Sequence, residues 1–180
     1  EVEVNTTLQG WIDPLEWSYR KKVTIDSNQV DSDLTDFPVY VDLSDLGSDF
    51  FNNIQSNGED IRVTTSDEET FLPREVVSVD TTAETGELHF KALSLSSSSD
   101  TEFYIYYGNS NVNKLPNSNQ YGSENVWTNS HEAVWHFQSD YNDSTSNDRD
   151  GNSFNTTIEV GKIYNCANLN SQSAIIEIDD

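Results

Sequence analysis

The sequence predicts an all-β protein, an antiparallel β-sandwich of the jelly-roll kind. Short apolar runs with alternating polar positions recur along the chain, and clusters of Asn, Asp, Ser and Gly separate them at a spacing typical of sandwiches. Hydrophobic residues make up only 34% of the 180 residues, but aromatic residues make up 11% and can build a core. No segment has the periodicity of an amphipathic helix, and residues 43–54 are compatible with one short helical turn.

Eight segments carry the strand pattern. In chain order they are R-K-K-V-T-I-D at 20–26, F-P-V-Y-V-D-L at 37–43, D-I-R-V-T-T at 60–65, R-E-V-V-S-V at 74–79, E-L-H-F-K-A-L at 87–93, T-E-F-Y-I-Y-Y-G at 101–108, E-A-V-W-H-F at 132–137 and S-A-I-I-E-I at 173–178. In the sixth segment, Phe103, Ile105 and Tyr107 share one face and two further tyrosines share the other. A strand that is apolar on both faces is predicted to lie in the centre of its sheet.

The pattern divides the chain into four parts. Residues 1–16 precede the first well-patterned strand and form an N-terminal arm, and residues 17–108 are a dense β-sandwich module. Residues 109–130 are polar and poorly patterned, which indicates a linker or a long surface loop. Residues 131–180 form a tail that begins and ends with predicted strands and is expected to pack with the sandwich module.

The strand predicted near the last residue needs a partner, because an unpaired sheet edge exposes backbone groups that invite another chain. Ile175 and Ile176 are adjacent in it, so each face carries an apolar side chain. Three partners are open at this point: the 17–108 module, the N-terminal arm, or residues outside the given sequence.

The charge balance limits the partners. Asp and Glu number 32 and Lys and Arg number 9, so the net charge is −23. Such a chain repels nucleic acid and anionic membranes, and no apolar run is long enough to insert into a bilayer. The acidity has three interpretations: a non-sticky extracellular surface, calcium binding, or a contact surface for a basic partner. The sequons at Asn5, Asn142 and Asn155 are compatible with N-glycosylation and export to the extracellular space or cell surface.

Five motifs in the sandwich module resemble a family of secreted prokaryotic modules, domain of unknown function 2341. They are W-S-Y-R-K-K-V-T-I at 17–25, D-L-T-D-F-P-V-Y-V-D-L at 33–43, G-E-D-I-R-V-T at 58–64, L-P-R-E-V at 72–76 and F-Y-I-Y-Y-G-N at 103–109. The motifs occur in the same order as in the family and span about half of the chain. The family has no assigned activity, so the resemblance implies a secreted context and no chemistry.

The tail resembles the beginning of a laminin-G or concanavalin-like lectin sandwich, which often follows such a module. A-V-W-H-F at 133–137, D-S-T-S-N-D-R-D-G at 143–151 and G-K-I-Y-N-C-A-N-L-N at 161–170 carry this resemblance. A complete sandwich of that kind needs further residues, so the resemblance implies no complete lectin groove in the given sequence.

The sequence predicts no catalytic residue. His131 and His136 are five positions apart, whereas a zincin helix needs two histidines four apart, and on a strand an odd separation sends them to opposite faces. His136 is therefore predicted to be a histidine at the edge of the core, hydrogen-bonded to backbone. No nucleophile elbow, phosphate loop or paired-cysteine motif is present, so we expect a protein that is not an enzyme.

Calcium is the one cofactor for which the sequence offers a candidate site. The loop at 142–151 concentrates Asp143, Asn147, Asp148 and Asp150, and calcium prefers six to eight hard oxygen ligands from a flexible loop. The loop departs from the EF-hand template, and a solvated, turn-rich loop is the preferred interpretation, with calcium binding as the alternative.

Aromatic residues outside the strand motifs are candidate glycan contacts, because flat rings cover the apolar faces of sugars. Trp11, Tyr121 and Trp127 lie in poorly patterned segments and are the candidates for exposure, whereas Trp17 and Trp135 are expected in the core. For each of the three candidates, a core position is the preferred interpretation.

The N-terminal arm has the pattern of a strand that can add to a sheet. Val2 and Val4 face one way and two glutamates face the other, with Leu8 and Trp11 further along. If the arm pairs with its own molecule it is the first strand, and if it pairs with a neighbour the protein is a polymer subunit.

The sequence thus supports two functional hypotheses. The first is a non-catalytic extracellular surface or assembly module that self-associates by strand complementation into a filament or array. The alternative is a carbohydrate-binding accessory or adhesin module of a longer secreted protein.

Overall fold

The computed structural model describes residues 16–161 and 165–178. The strands are β1 (Tyr19–Ile25), β2 (Leu34–Asp42), β3 (Arg62–Thr65), β4 (Phe71–Leu72), β5 (Arg74–Asp80), β6 (Thr85–Leu95), β7 (Thr101–Tyr107), β8 (Gly151–Phe154), β9 (Thr157–Val160), β10 (Asn165–Asn168) and β11 (Ile175–Ile178). One α-helix, α1 (Ser48–Asn53), and short 3₁₀ turns at Ser27–Gln29, Leu43–Leu46 and Ser123–Asn125 join them. None of the described helices is long and apolar enough to span a membrane.

Two antiparallel sheets form the sandwich. One has the order β1-β7-β3-β4 and the other has the order β2-β6-β5. The prediction of an all-β sandwich is confirmed. The strand β7 lies between β1 and β3, which confirms its predicted central position. A central strand is where apolar side chains on both faces can be covered.

The core lies between the two sheets. Val39, Leu88 and Phe90 point inward from one sheet, while Phe103 and Ile105 point inward from the other, and all five are buried. The rings of Phe90 and Phe103 meet edge to face with centroids 4.9 Å apart, which is the preferred geometry for an aromatic pair. Helix α1 closes one end of this core with the buried rings of Phe50 and Phe51.

A buried carboxylate holds the loops at that end of the sandwich. Asp60 is fully buried, and its Oδ2 accepts hydrogen bonds from the backbone N–H groups of Gly108 and Asn109, while its Oδ1 accepts one from Gln55. Trp17, predicted in the core, is buried and donates its indole N–H to the Asp60 carbonyl at 2.8 Å.

Residues after the sandwich form little regular structure until β8. The segment at 132–137, predicted as a strand, is irregular, so that prediction is wrong. Two features explain this: the Val134 N–H donates to the Asp143 carboxylate and not to a neighbouring strand, and Phe137 has a φ of 51°, which lies in the left-handed region.

The last strand pairs within the tail itself. β11 pairs with β8 in antiparallel register, with Ile175 opposite Phe154 and Ile176 opposite Ser153. None of the three partners considered from the sequence is the observed one, because β8, with its sequence G-N-S-F, has no alternating apolar pattern by which it could be predicted. A second two-stranded sheet joins β9 and β10.

Candidate functional site

Two glutamates and one histidine share the outer face of the β2-β6-β5 sheet. In β6, the side chains of Glu87 and His89 are two positions apart and therefore point to the same face, away from Leu88 in the core. The register places Glu75 of β5 opposite His89, with Tyr40 of β2 on its other side. The strand pairing alone therefore brings these groups together.

The segment at 126–144 crosses this face and adds a second histidine. The His136 Nε2 lies 3.2 Å from the Glu75 Oε2, and its Nδ1 lies 3.7 Å from the Glu87 Oε1. The same Glu87 oxygen lies 2.8 Å from the His89 Nε2. These four side chains, which we call the histidine–glutamate cluster, are mostly buried, with 13–15% of each exposed.

Trp127 lies over the cluster. It is only 7% exposed and donates its indole N–H to the Glu75 Oε2 at 2.6 Å. Its ring lies 5.0 Å from the ring of His89, 5.5 Å from that of His131 and 5.6 Å from that of His136. The three histidines of the chain thus surround one tryptophan.

The Glu75 carboxylate is ionised in this site. Burial raises the pKa of Glu75. The hydrogen bond and charge of His136, and the hydrogen bonds from Ser144 and Trp127, lower this pKa by more than burial raises it. The pKa therefore lies below its usual value. For His136, burial lowers the pKa, while the hydrogen bond to Glu75 and the charges of Glu75 and Glu87 raise it above its usual value. Both shifts favour the charged form of the group concerned, so the contact between the two side chains is strongest when His136 is protonated.

Three donor atoms of the cluster are close enough to share one cation. Single ligand atoms of Glu87, His89 and His136 all lie within 4.8 Å of one another. Imidazole nitrogen and carboxylate oxygen are the ligand types that zinc and other first-row divalent metals prefer. The Glu75 carboxylate occupies the other nitrogen of His136 and fixes the orientation of that ring.

The sequence did not predict this cluster. The expectation that His136 bonds to backbone is wrong, because its partners are the carboxylates of Glu75 and Glu87. One local signal was present: Glu-x-His at 87–89 in a predicted strand places both side chains on one face. The contribution of His136 has no such signal, because it depends on how an irregular segment crosses the sheet.

The loop predicted to bind calcium uses its carboxylates differently. Asp143 accepts hydrogen bonds from the backbone N–H groups of Val134, Thr145 and Arg149 and from the Thr145 hydroxyl. The Asp150 Oδ1 accepts the Asp143 N–H, and the side chain of Asn147 donates to the Glu132 carbonyl.

Asp148 is exposed and has a φ of 54°. These contacts are those of a turn-rich loop that satisfies its own backbone, and calcium binding there stays a prediction.

The candidate glycan contacts differ in their surroundings. Trp127 is buried against the histidine–glutamate cluster, which is the core position preferred for it from the sequence. Tyr121 is half-buried, and its ring packs 5.4 Å from that of Phe71. Trp135, expected in the core, is half-buried and donates to the Arg149 carbonyl. Trp11 lies outside the described residues.

The other candidate residues lie at the surface or outside the described ranges. The sequon asparagines Asn142 and Asn155 are exposed. Asn5 and the arm residues Val2, Val4 and Leu8 lie outside the part of the chain that the structure describes.

The C-terminal sheets carry exposed apolar side chains. In the β8–β11 pair, Phe154 is 62% exposed and Ile175, opposite it, is 45% exposed. Val160 of the β9–β10 pair is 87% exposed. Within the described residues no third strand pairs with either sheet. On the opposite face, a Cβ at Gly151 would lie 2.9 Å from the Ile176 side chain, while Ile178 is 42% exposed.

One comparison with known proteins gives a match. Residues 57–152, slightly more than half of the chain, match the sequence profile of a family described as a domain of unknown function, DUF2341. The match extends from the turn before β3 through the crossing segment to the start of β8, so it includes three of the five motifs, while those at 17–25 and 33–43 lie outside it. No curated protein and no solved structure gives a significant match.

Proposed function

The chain belongs to the DUF2341 family, and we propose that it is a non-catalytic extracellular module that self-assembles by strand addition, with the N-terminal arm of one copy pairing with the β8–β11 sheet of the next. The observation that carries this proposal is the pair of two-stranded C-terminal sheets with exposed apolar side chains. Repetition of the contact from copy to copy is heterologous and produces a filament or array.

The β8–β11 sheet has the properties of an acceptor. A two-stranded antiparallel pair is at best marginally stable in water, and a third strand gives it a stable unit. In β11, one edge of N–H and C=O groups faces away from β8. Phe154 and Ile175 are opposite each other and exposed, so an added strand finds an apolar neighbour on this face.

The arm has the complementary pattern. When it pairs as a strand, Val2 and Val4 extend the apolar face while Glu1 and Glu3 face the solvent. Burying two valines contributes roughly 3–6 kcal/mol, and ordering five residues costs about 5–10 kcal/mol. Each backbone hydrogen bond adds about 1 kcal/mol. For the first five residues, the free energy gained by burial and hydrogen bonding is about equal to the cost of ordering them. Burial of Leu8 and Trp11 therefore decides the affinity.

Charge makes the proposed assembly dependent on salt. Each copy carries a net charge of −23, so copies repel one another at long range. Salt screens this repulsion, with a Debye length of about 30 Å at 0.01 M and about 3 Å at 1 M. We therefore expect larger oligomers as the ionic strength rises.

Deletion of residues 1–12 tests the proposal. Sedimentation velocity at high ionic strength should show oligomers for the full chain and monomers for the deletion variant, with unchanged circular dichroism. Val2→Asp/Val4→Asp should act like the deletion, whereas the matched control Glu1→Gln/Glu3→Gln should assemble at least as well as the unaltered chain. Oligomers of unchanged size after the deletion would remove the arm from the account.

The glycan-binding alternative gives a different result in the same material. A monomeric protein that binds an immobilised glycan saturably, and loses that binding on Tyr121→Ala, would contradict the assembly proposal. A glycan array probed with and without calcium makes this distinction and tests the acidic loop at the same time.

A further inference from the structure

We propose that Glu87, His89 and His136 bind one zinc ion that joins strand β6 to the segment crossing the sheet. The ligand set is two imidazole nitrogens and one carboxylate oxygen, whose mutual distances in the structure are all within 4.8 Å. In tetrahedral zinc coordination, with bonds of about 2.0–2.2 Å, neighbouring ligand atoms are about 3.3 Å apart. Small side-chain rotations therefore bring the donors to their bonding distances.

The three donors converge on one point. The Glu87 Oε1 lies 2.8 Å from the His89 Nε2 and 3.7 Å from the His136 Nδ1. In the metal-free protein, a proton on either ring nitrogen can bridge to this carboxylate oxygen. A divalent cation replaces such protons and is bonded by all three atoms at once.

Glu75 prepares His136 for this role without being a ligand. Its Oε2 accepts the His136 Nε2–H, so the Nδ1 faces Glu87 and carries the lone pair whenever the ring is neutral. Glu75 is itself fixed by the Trp127 indole and by the Ser144 hydroxyl at 2.7 Å. A carboxylate that orients a ligating histidine in this way is a regular feature of zinc sites.

The surroundings favour a site that is shielded and yet accessible. Trp127 and the ring of Tyr40, 5.5 Å from that of His89, flank the donors and limit contact with water. A cleft of about 250 Å³ lined by Glu75, His136 and Ser144 lies beside the cluster, so solvent reaches the His136 side of the donor set.

Zinc at this position has a structural consequence. His89 belongs to the sandwich, whereas His136 belongs to the segment that leads to the C-terminal sheets. One ion bonded to both holds that segment on the sheet face. Because the complete donor set exists only in the folded chain, binding is linked to folding, and zinc stabilises the protein by mass action.

Zinc titration of the full chain, purified without a histidine tag, tests the site. Isothermal titration calorimetry should give one zinc ion per chain, cobalt should give the visible absorption of a tetrahedral nitrogen–oxygen site, and the melting temperature should rise with zinc and not with an equal concentration of calcium.

His136→Ala and Glu87→Gln should each weaken zinc binding at least about a hundredfold, since each removes a ligand, and Glu75→Gln should weaken it about 10–100-fold. His131→Ala is the matched control, because it removes the histidine that packs on Trp127 outside the ligand set, and it should leave the affinity unchanged. Near-ultraviolet circular dichroism establishes that each metal-free variant is folded, and Glu87→Gln keeps the shape of the side chain if an alanine variant does not fold.

Three results would overturn the proposal. The first is the absence of saturable zinc binding by the folded, unaltered chain. The second is zinc binding that is equal in the unaltered chain and in folded Glu87→Gln or His136→Ala, which would place the ion among the surface carboxylates. The third is weakening by His131→Ala that equals the weakening by the ligand variants, which would contradict the assigned ligand set.

Discussion

The sandwich from β1 to β7 and the region from β8 to β11 are both antiparallel β-structure, but they bury their apolar side chains to very different extents. In the sandwich, Phe90 and Ile105 are fully buried between two sheets. In the C-terminal region, Phe154 is 62% exposed and Val160 is 87% exposed. The difference shows that a strand pattern predicts pairing, while burial depends on a second layer that the strand pattern does not guarantee.

The two regions meet at the histidine–glutamate cluster. Glu75, Glu87 and His89 come from the sandwich, and His136 comes from the segment before the C-terminal sheets. The contact is polar on both sides and includes the 3.2 Å hydrogen bond between His136 and Glu75. Because a hydrogen bond depends on direction, this contact fixes the orientation of the segment as well as its position. Changes in each region should therefore have effects of different size, which the following substitutions measure.

Phe90→Ala should have the largest effect. The ring is fully buried and packs edge to face with Phe103, so its removal leaves a cavity between the sheets. Deleting such a ring costs about 3–5 kcal/mol in the free energy of unfolding. Urea denaturation monitored by tryptophan fluorescence measures this loss, and a change below about 1 kcal/mol would break the comparison at its strong end.

Asp60→Asn should come second. The carboxylate accepts three backbone N–H groups, and the amide can replace only one of its two oxygens as an acceptor. A buried donor left without a partner costs about 1–3 kcal/mol. The same denaturation experiment measures it, with Asp100→Asn on an exposed loop as the control. Equal, small effects of both substitutions would show that Asp60 does not organise these loops.

Acidification should weaken the loop around Asp143 next. Burial raises the pKa of Asp143. Hydrogen bonds from the Val134, Thr145 and Arg149 N–H groups and the Thr145 hydroxyl lower this pKa by more than burial raises it. The pKa in the folded protein therefore lies below that in the unfolded chain. The stabilisation is thus present above the unfolded pKa of about 3.9 and is lost as the pH falls through the folded value.

Thermal unfolding between pH 6 and pH 2 measures this effect. The melting temperature of the unaltered chain should fall more steeply below pH 4 than that of Asp143→Ala, which lacks the titrating group. Asp148→Ala, in the same loop but with an exposed side chain, is the control and should follow the unaltered chain. Parallel curves for all three proteins would mean that the Asp143 contacts do not stabilise the fold.

Phe154→Ala should have the smallest effect on stability. The side chain is mostly in solvent, and surface substitutions usually change the free energy of unfolding by less than about 0.5 kcal/mol. Under the proposed function the same substitution removes apolar area from the acceptor sheet, so oligomers should dissociate at lower protein concentration. A loss above about 2 kcal/mol in the monomer would instead show that Phe154 belongs to a covered core.

The sandwich was largely predictable from the sequence, for a physical reason. Apolar and polar residues alternate in strands such as β2, and β7 carries apolar residues on both faces, over seven to nine residues. The local sequence pattern therefore predicts which of their side chains are buried. The short turn predicted within residues 43–54 is present as a 3₁₀ turn, started by Asp42, which accepts the Ser44 N–H, and as helix α1. Strand β4, with two residues, is too short to carry a pattern.

The C-terminal region and the candidate site were predicted less well. The segment at 132–137 has a strand-like pattern, but the backbone N–H of Val134 donates to the Asp143 side chain and not to another strand. Phe137 has a positive φ, so the backbone does not continue in an extended conformation there. The sequence of β8, G-N-S-F, has no alternating apolar pattern, so its pairing with β11 could not be predicted from the sequence. The histidine–glutamate cluster depends on sheet register and on the path of an irregular segment, and neither is a local property of the sequence.

The most direct test of assembly by strand addition is to mix two variants that each lack one half of the proposed contact. The first is the deletion of residues 1–12, which keeps the acceptor sheet. The second is Phe154→Asp/Ile175→Asp, which keeps the arm and places charge on the acceptor sheet. In sedimentation velocity at high ionic strength, each variant alone should be a monomer, and an equimolar mixture should form a one-to-one heterodimer that grows no further. A mixture that stays monomeric, or either variant alone forming the oligomers of the unaltered chain, would contradict the account.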